Sequence, residues 1–226
     1  MGRLFLSAVS LAGKKTILPM PIASVAPPLS SHADMQACVL AGGKMVVCPE
    51  SFSYYKKQLA PYPVHLICGK RPLNRNYPED ISYNVAVTGN FAIHNFNHTD
   101  PVLKNLLLKE GYTLVQVSQG YAKCSVCPVA PGALITADEG IYRAVLPYGI
   151  DALLISSGHV RLPGFPYGFL GGATGLLQKN LLAVCGTLSR HPDRLKIYEF
   201  LNKYAVKILE LHDREPEDIG SILAIL

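Results

Sequence analysis

The chain has 226 residues, 49% of them hydrophobic, with 19 Gly and 17 Pro, which suits one compact domain with an ample core and many tight turns. Its net charge of +5 is mild and its basic residues are scattered, with Lys14-Lys15 and Lys56-Lys57 among the few adjacent pairs, so there is no stripe suited to a phosphate backbone and no nucleic-acid partner is expected. No apolar run approaches the roughly 20 residues needed to span a bilayer, so no membrane partner is expected, and six Cys in a chain of this length form no disulfide framework.

The predicted elements repeat a module of about 45 residues: two short strands, a helix and a third strand. The first module, residues 34–70, has strands over 35–40 and 44–48 joined by Gly42-Gly43, a helix over 52–59 and a strand over 64–68. The second, residues 78–119, has strands over 83–87 and 91–94, a helix opened by Asp100-Pro101 and a strand over 112–118. Val102, Leu103, Leu106 and Leu107 stand at helical spacing there. The third, residues 122–160, has a hairpin over 124–129 and 133–136 turned by Pro131-Gly132, a helix over 140–146 and a strand over 151–156. The fourth, residues 168–213, has strands over 168–177 and 181–187, an amphipathic helix over 193–204 and a strand over 206–211.

The fifth module is split between the termini. Residues 214–226, with a first strand over 218–226, join residues 3–21, read as a helix over 4–11 and a strand over 16–20, so this module lacks its second strand. Stacked copies of one unit predict an α/β fold: a single domain, residues 1–226, built as a five-module pseudo-symmetric α/β propeller. The incomplete module would leave an exposed edge beside residues 222–226, through which copies of the chain could pair as a homo-oligomer. Arg3 followed by residues 4–13 has the outline of a signal peptide, but the module helix accounts for the strand that follows, and a cytoplasmic location is expected. Cys38, Cys48, Cys68 and Cys185 fall inside apolar strands and are read as core thiols.

Chemistry should gather on the first strands, because alternate side chains would face a common axis. His32, Asp34 and Gln36 share one face; Asp80, Ser82 and Asn84 repeat the pattern; Asp218 begins a third copy, and Cys124 falls at the same place in its unit. Each has a structural reading beside the chemical one. Residues 31–34 open a strand by turn-type hydrogen bonds, Cys124 is a small buried hydrophobe, and Asp80 and Asp218, both after Pro-Glu, cap equivalent turns. His98-Thr-Asp100 and His191-Pro-Asp193 precede helices, where the Asp is a cap. Cys124-x-x-Cys127 has no second pair to complete a zinc site, and no phosphate-binding fingerprint accompanies Gly171-Gly172. No metal and no cofactor is expected.

The arrangement resembles the pentein fold of guanidino-modifying enzymes, which include arginine deiminase, dimethylarginine dimethylaminohydrolase and glycine amidinotransferase. His32-Ala-Asp34 looks like the catalytic His-x-Asp segment of the deiminases, and Gly120-Tyr-Ala-Lys-Cys124-Ser-Val-Cys127-Pro128 looks like the segment carrying their nucleophile. Glu217-Asp218-Ile-Gly-Ser221 stands where they carry a Glu-Gly-Gly-Asp motif, with different glycines and spacing. A closer resemblance is to an uncharacterised bacterial family assigned to the same fold. It is carried by Tyr77-Pro-Glu-Asp-Ile-Ser-Tyr-Asn84, Val117-Ser-Gln-Gly-Tyr-Ala-Lys-Cys124, Leu162-Pro-Gly-Phe, Tyr167-Gly-Phe-Leu-Gly-Gly172 and Asp218-Ile-Gly-Ser221.

The resemblance implies a Cys-dependent hydrolase or transferase acting on a guanidino or amidino compound. Cys124 would be the nucleophile, His32 the acid and base, and Asp34 the group that orients His32. Asp80, Asn84, Glu217, Asp218, Gly171 and Gly172 would hold the small cationic substrate, and an active Cys124 would titrate below an ordinary thiol. The fourth module departs from this pattern, since Gly171-Gly172-Ala173-Thr174 stands where the deiminases supply an acid. That departure favours the alternative, a non-catalytic binding or scaffold protein on the same fold.

Overall fold

The computed structural model describes residues 4–7 and 15–225. Two strands, β1 (Leu4–Leu6) and β2 (Lys15–Ile17), precede four copies of one unit. The first copy runs through α1 (Ala33–Gln36), β3 (Ala37–Leu40), β4 (Lys44–Val47), α2 (Pro49–Leu59) and β5 (His65–Cys68). The second has β6 (Ala86–Thr88), β7 (Phe91–His94), α3 (Pro101–Lys109) and β8 (Thr113–Gln116). The third has α4 (Ala122–Ser125), β9 (Val126–Ala130), β10 (Ala133–Thr136), α5 (Glu139–Val145) and β11 (Asp151–Leu154). The fourth has β12 (Thr174–Gln178), β13 (Leu181–Val184), α6 (Arg194–Lys203) and β14 (Lys207–Glu210), and β15 (Leu223–Ala224) follows.

Each copy forms its own three-stranded sheet, with the first strand antiparallel to the second and the second parallel to the third. Parallel neighbours need a crossover, and the helix between the second and third strands supplies it. Among the described residues, no sheet continues into the next.

The fifth sheet corrects the reading of the N-terminus. Residues 4–6 are a strand, not the start of a helix: β1 pairs antiparallel with β15, Phe5 opposite Ala224, and parallel with β2, Leu4 opposite Lys15. The module therefore has all three strands, and residues 8–11 of the expected helix lie outside the described residues. Leu4, Phe5 and Leu6 are all buried, and a short continuous apolar run has no period that separates a central strand from a helix. The edge expected to be exposed beside residues 222–226 is covered. Ile222, Leu223 and Ile225 are buried, and the Ile225 N–H donates to the Leu4 carbonyl at 2.8 Å.

The core lies at the joints between units. Among the described residues, one apolar cluster joins the first copy to the second through Met35, Cys38, Tyr83 and Leu103. The second meets the third through Ile93, Val115, Leu134 and Ile141, and the third meets the fourth through Cys127, Ile135, Leu182 and Ile197. The fourth meets the terminal sheet through Ala183, Cys185, Phe5 and Ile222, which returns to the first copy through Leu4, Leu223, Met45 and Tyr55. Each unit thus buries its apolar faces against its neighbours, at about 25 cal/mol per Å² of apolar surface removed from water. Cys38, Val87, Pro128, Leu176 and Ala224, one from each first strand, line a common cavity.

First strands begin later than the sequence spacing predicts. The chain makes single helical turns at α1 and α4 where strand was expected, so His32, Asp34 and Gln36 do not share a strand face. Gln36 faces the core, donating to the carbonyls of Met20 and Ser30 at 2.7 and 3.0 Å and accepting from Tyr55 Oη at 2.8 Å. Cys68 is exposed, whereas Cys38, Cys48 and Cys185 are buried. Asp100 caps α3, accepting from the Val102 and Leu103 N–H groups at 2.9 and 3.1 Å. Asp193 makes no such cap on α6 and instead accepts from the Ser156 N–H at 2.7 Å. No helix among the described residues is long and apolar enough to cross a membrane.

Candidate active site

Turns just ahead of the five first strands carry Asp34, Asn84, Cys124, Gly172 and Ser221, and hydrogen bonds tie these positions together. The Cys124 thiol donates to Asp34 Oδ2 at 3.2 Å, and Asn84 Nδ2 donates to the Cys124 sulfur at 3.1 Å. Asn84 is fixed from both ends: Nδ2 also donates to the Asp34 carbonyl at 3.1 Å, and Oδ1 accepts from the Lys123 and Cys124 N–H groups at 2.8 and 3.2 Å. Gly172 N–H donates to the Cys124 carbonyl at 2.8 Å, and Ser221 Oγ donates to Asp34 Oδ2 at 2.5 Å.

Cys124 also lines a cavity of about 240 Å³ together with His32 and Asp218. Asp218 is held from below by the N–H groups of Phe169 and Gly220, each at 3.0 Å. His32 Nδ1 stands 3.8 Å from Asp218 Oδ1, too far for a hydrogen bond but close enough for attraction when the imidazole is protonated. His32 Nδ1 and Asp34 Oδ1 are buried polar atoms without a hydrogen-bond partner among the described residues. Such atoms cost stability unless a ligand satisfies them.

Electrostatics here run against a resting thiolate. Burial, then the Asp34 and Asp218 carboxylates, push the Cys124 thiol well above its usual range, with only the Asn84 hydrogen bond opposing. The expectation of a lowered thiol is therefore reversed for the ligand-free protein: the sulfur keeps its proton and donates it to Asp34. Burial first, then neighbouring Asp34, raises the Asp218 carboxyl to about 6, and His32 opposes that rise.

Of the other residues singled out in the sequence, Asp80 and Glu217 lie elsewhere. Asp80 is buried, and the Tyr121 hydroxyl donates to its Oδ2 at 2.6 Å; Tyr121 lines the cavity and Asp80 does not. Burial raises the Asp80 carboxyl while the Tyr121 hydrogen bond opposes it. Glu217 lines a separate polar cavity, where its carboxylate is 3.8 Å from Arg161 Nε; one residue from Asp218, it falls on the other side of the chain. Gly171 and Gly172 act through backbone. The Gly171 carbonyl lies 2.9 Å from Ser221 Oγ, whose one proton it shares with Asp34, and a Cβ on Gly172 would overlap the Asp218 carboxylate. Asp34 does not orient His32: its Oδ2 serves Cys124 and Ser221, and the carboxylate beside His32 is that of Asp218.

Sequence reasoning missed two polar residues. Ser221 joins Asp34 to Lys123, whose Nζ donates to Ser221 Oγ at 2.9 Å and to the Gly171 carbonyl at 3.4 Å. Ser221 stands just ahead of β15 as Cys124 stands just ahead of β9, so the module alignment could have flagged it. Lys123 has no comparable signal beyond its place next to Cys124.

No functionally curated protein matches the chain. Among solved structures, the N-terminal domain of ArgZ, a cyanobacterial arginine dihydrolase, matches with a TM-score of 0.59 at 11% identity over 100% of this chain and 98% of that one. Full-length ArgZ is similar too, and this chain spans 40% of its length. DDAH from Pseudomonas aeruginosa, complexed with citrulline, matches with a TM-score of 0.56 at 10% identity over 93% of this chain and 92% of that one. Inosamine-phosphate amidinotransferase StrB1 from Streptomyces griseus gives 0.56 at 14% over 95% and 76%. These likenesses show the fold, that of the penteins. A family model matches residues 4–223, and the chain belongs to that family, the family of unknown function DUF6873.

Proposed function

We propose that the Cys124 cavity binds a small guanidinium or amidinium compound and that Cys124 attacks its central carbon, as a hydrolase or amidino transferase would. In this reading the five sheets are the blades of a five-module propeller and the cavity opens at its axis. The observation that carries the proposal is the Cys124 sulfur set 3.2 Å from Asp34 Oδ2 in a cavity shared with His32 and Asp218. Solved neighbours that act on such compounds, among them the amidinotransferase StrB1 and arginine dihydrolase ArgZ, support it.

The planar cation lies against Asp218, whose free lone pairs accept its N–H groups. A positive charge there offsets the carboxylates that hold the thiol proton, which passes to Asp34 Oδ2 as the sulfur bonds to carbon. The bond from that carbon to the leaving nitrogen breaks, and His32, as imidazolium, protonates the departing amine. Water, or an acceptor amine in transfer, then adds to the carbon and gives its proton to neutral His32. The carbon–sulfur bond breaks, and the thiolate recovers its proton from Asp34.

The second reading is a binding protein without covalent chemistry, favoured by the raised thiol and by the absence, among the described residues, of a hydrogen bond between Cys124 and His32. Alkylation separates the two. With chloroacetamidine, a guanidinium mimic, Cys124 should be modified faster than with neutral iodoacetamide, Asp218→Asn should abolish the preference, and Cys185→Ser should leave it intact. Slow modification with no preference would leave the binding reading.

A further inference from the structure

The cavity walls define the ligand's other end. Above Cys124, His32 and Asp218 the lining is Leu29, Met35, Leu162, Pro166 and Phe169. Phe165 and Tyr167, 42% and 43% exposed, stand at the rim, and the Tyr167 and Phe169 rings meet edge to face at 6.2 Å. None of the lining residues is Lys or Arg. Arg161, next to the Leu162 wall in sequence, lines the separate polar cavity, where it faces Glu217.

A ligand carboxylate inside this cavity would lose its water beside the Asp218 carboxylate, and His32, the one lining residue that can carry a positive charge, already faces Asp218 at 3.8 Å. Both effects are unfavourable. A single apolar or aromatic substituent would instead be gained by the walls, and the cavity, below the roughly 300–1,000 Å³ usual for drug-sized ligands, limits it to one small group.

We infer that the ligand is a monocationic guanidine or amidine bearing a compact hydrophobic substituent and no carboxylate: an arylalkylguanidine, not an amino acid. The inference rests on the cationic-ligand reading above. The charged head meets Asp218 and the substituent lies between Leu162 and Phe169 with Phe165 closing over it. Specificity for the tail is carried by the segment from Leu162 to Phe169, which meets the site's hydrogen bonds only where the Phe169 N–H donates to Asp218 Oδ2.

Titration calorimetry with phenethylguanidine, methylguanidine and arginine on the whole chain tests this. Phenethylguanidine should bind at least about tenfold more tightly than arginine, the discrimination a hydrophobic pocket gives for small apolar increments. Phe165→Ala, a change at a half-exposed rim position, should weaken phenethylguanidine while leaving methylguanidine unchanged, and Leu162→Arg should move preference toward arginine. Arginine binding as tightly as phenethylguanidine, or a Phe165→Ala variant that binds all three unchanged, overturns the inference but keeps the cation site. If methylguanidine does not bind and phenethylguanidine does not either, the cation reading itself falls and this inference falls with it.

Discussion

Cys124 and Asp34 are 90 positions apart in the chain and 3.2 Å apart in space, sulfur to Oδ2. The carboxylate is both the acceptor of the thiol proton and, after burial, the largest cause of the thiol's reluctance to lose it. Asp34→Asn keeps an oxygen for Ser221 and removes the charge. The pH at which Cys124 alkylates at half its maximal rate, followed by mass spectrometry with iodoacetamide, should fall, because a like charge that opposes the thiolate is gone. An unchanged profile would mean that the Asp34 charge does not set the thiol.

Asp218 gives the ligand-free protein a pH-dependent stability. Its carboxyl is raised to about 6 in the folded state by burial and by Asp34. A raised group contributes stability fully below its unfolded value of about 4 and loses that contribution as pH climbs through about 6, here on the order of 2–3 kcal/mol. Urea midpoints measured from pH 4.5 to 7.5 should therefore fall with rising pH more steeply in the parent than in Asp218→Asn. A bound cation reverses the sign, because it favours the ionised carboxylate, so affinity should drop as pH falls below about 6. Parallel curves for parent and variant would refute this.

Gly172 leaves no room for a side chain. A Cβ there would overlap the Asp218 carboxylate, and the Gly172 carbonyl already accepts the Ser221 N–H at 2.7 Å, so the backbone cannot retreat freely. Gly172→Ala should cost several kcal/mol, on the order of 3, and displace Asp218. Gly111→Ala is a useful contrast, since it meets no atom within 4 Å but carries a φ of +79°, and should cost only about 1 kcal/mol. Calorimetric unfolding of both checks the ordering, and equal losses would show that overlap at Asp218 is relieved by local shifts.

The repeat was legible because its punctuation is local: Gly42-Gly43, Pro131-Gly132 and Asp100-Pro101 mark turns and a helix start within a few residues. The site was legible only as a set of residue types. Asp34 and Cys124 were read as strand residues, yet each sits in a helical turn of four residues, too short for any period to declare itself. The roles then shifted. His32 has Asp218 beside it in place of Asp34, and Glu217 faces Arg161, because a one-residue step in an irregular turn sends neighbouring side chains to different cavities. Ser221 stayed hidden for a different reason: its partner Asp34 is 187 positions away, and only the closing of the terminal sheet brings them together.

Asn84 clamps the Cys124 thiol, and its substitution separates clamping from charge. Its amide nitrogen donates to the Cys124 sulfur and the Asp34 carbonyl, and its oxygen accepts from two backbone N–H groups. Asn84→Ala leaves these buried groups unpaired and should cost about 2–4 kcal/mol. Asn84→Asp keeps the shape and both N–H acceptances but loses the donor and sets a third carboxylate beside Asp34 and Cys124. At neutral pH it should be the more damaging of the two. Its new carboxyl would be raised in the folded state by burial and like charge, so its penalty should shrink as pH falls and the protonated acid regains a donor. Urea midpoints at pH 5 and pH 8 read this directly. An Asn84→Asp penalty equal at both pH values, or smaller than that of Asn84→Ala at pH 8, would show that Asn84 holds the turn by packing and not by the hydrogen bonds it makes to Cys124.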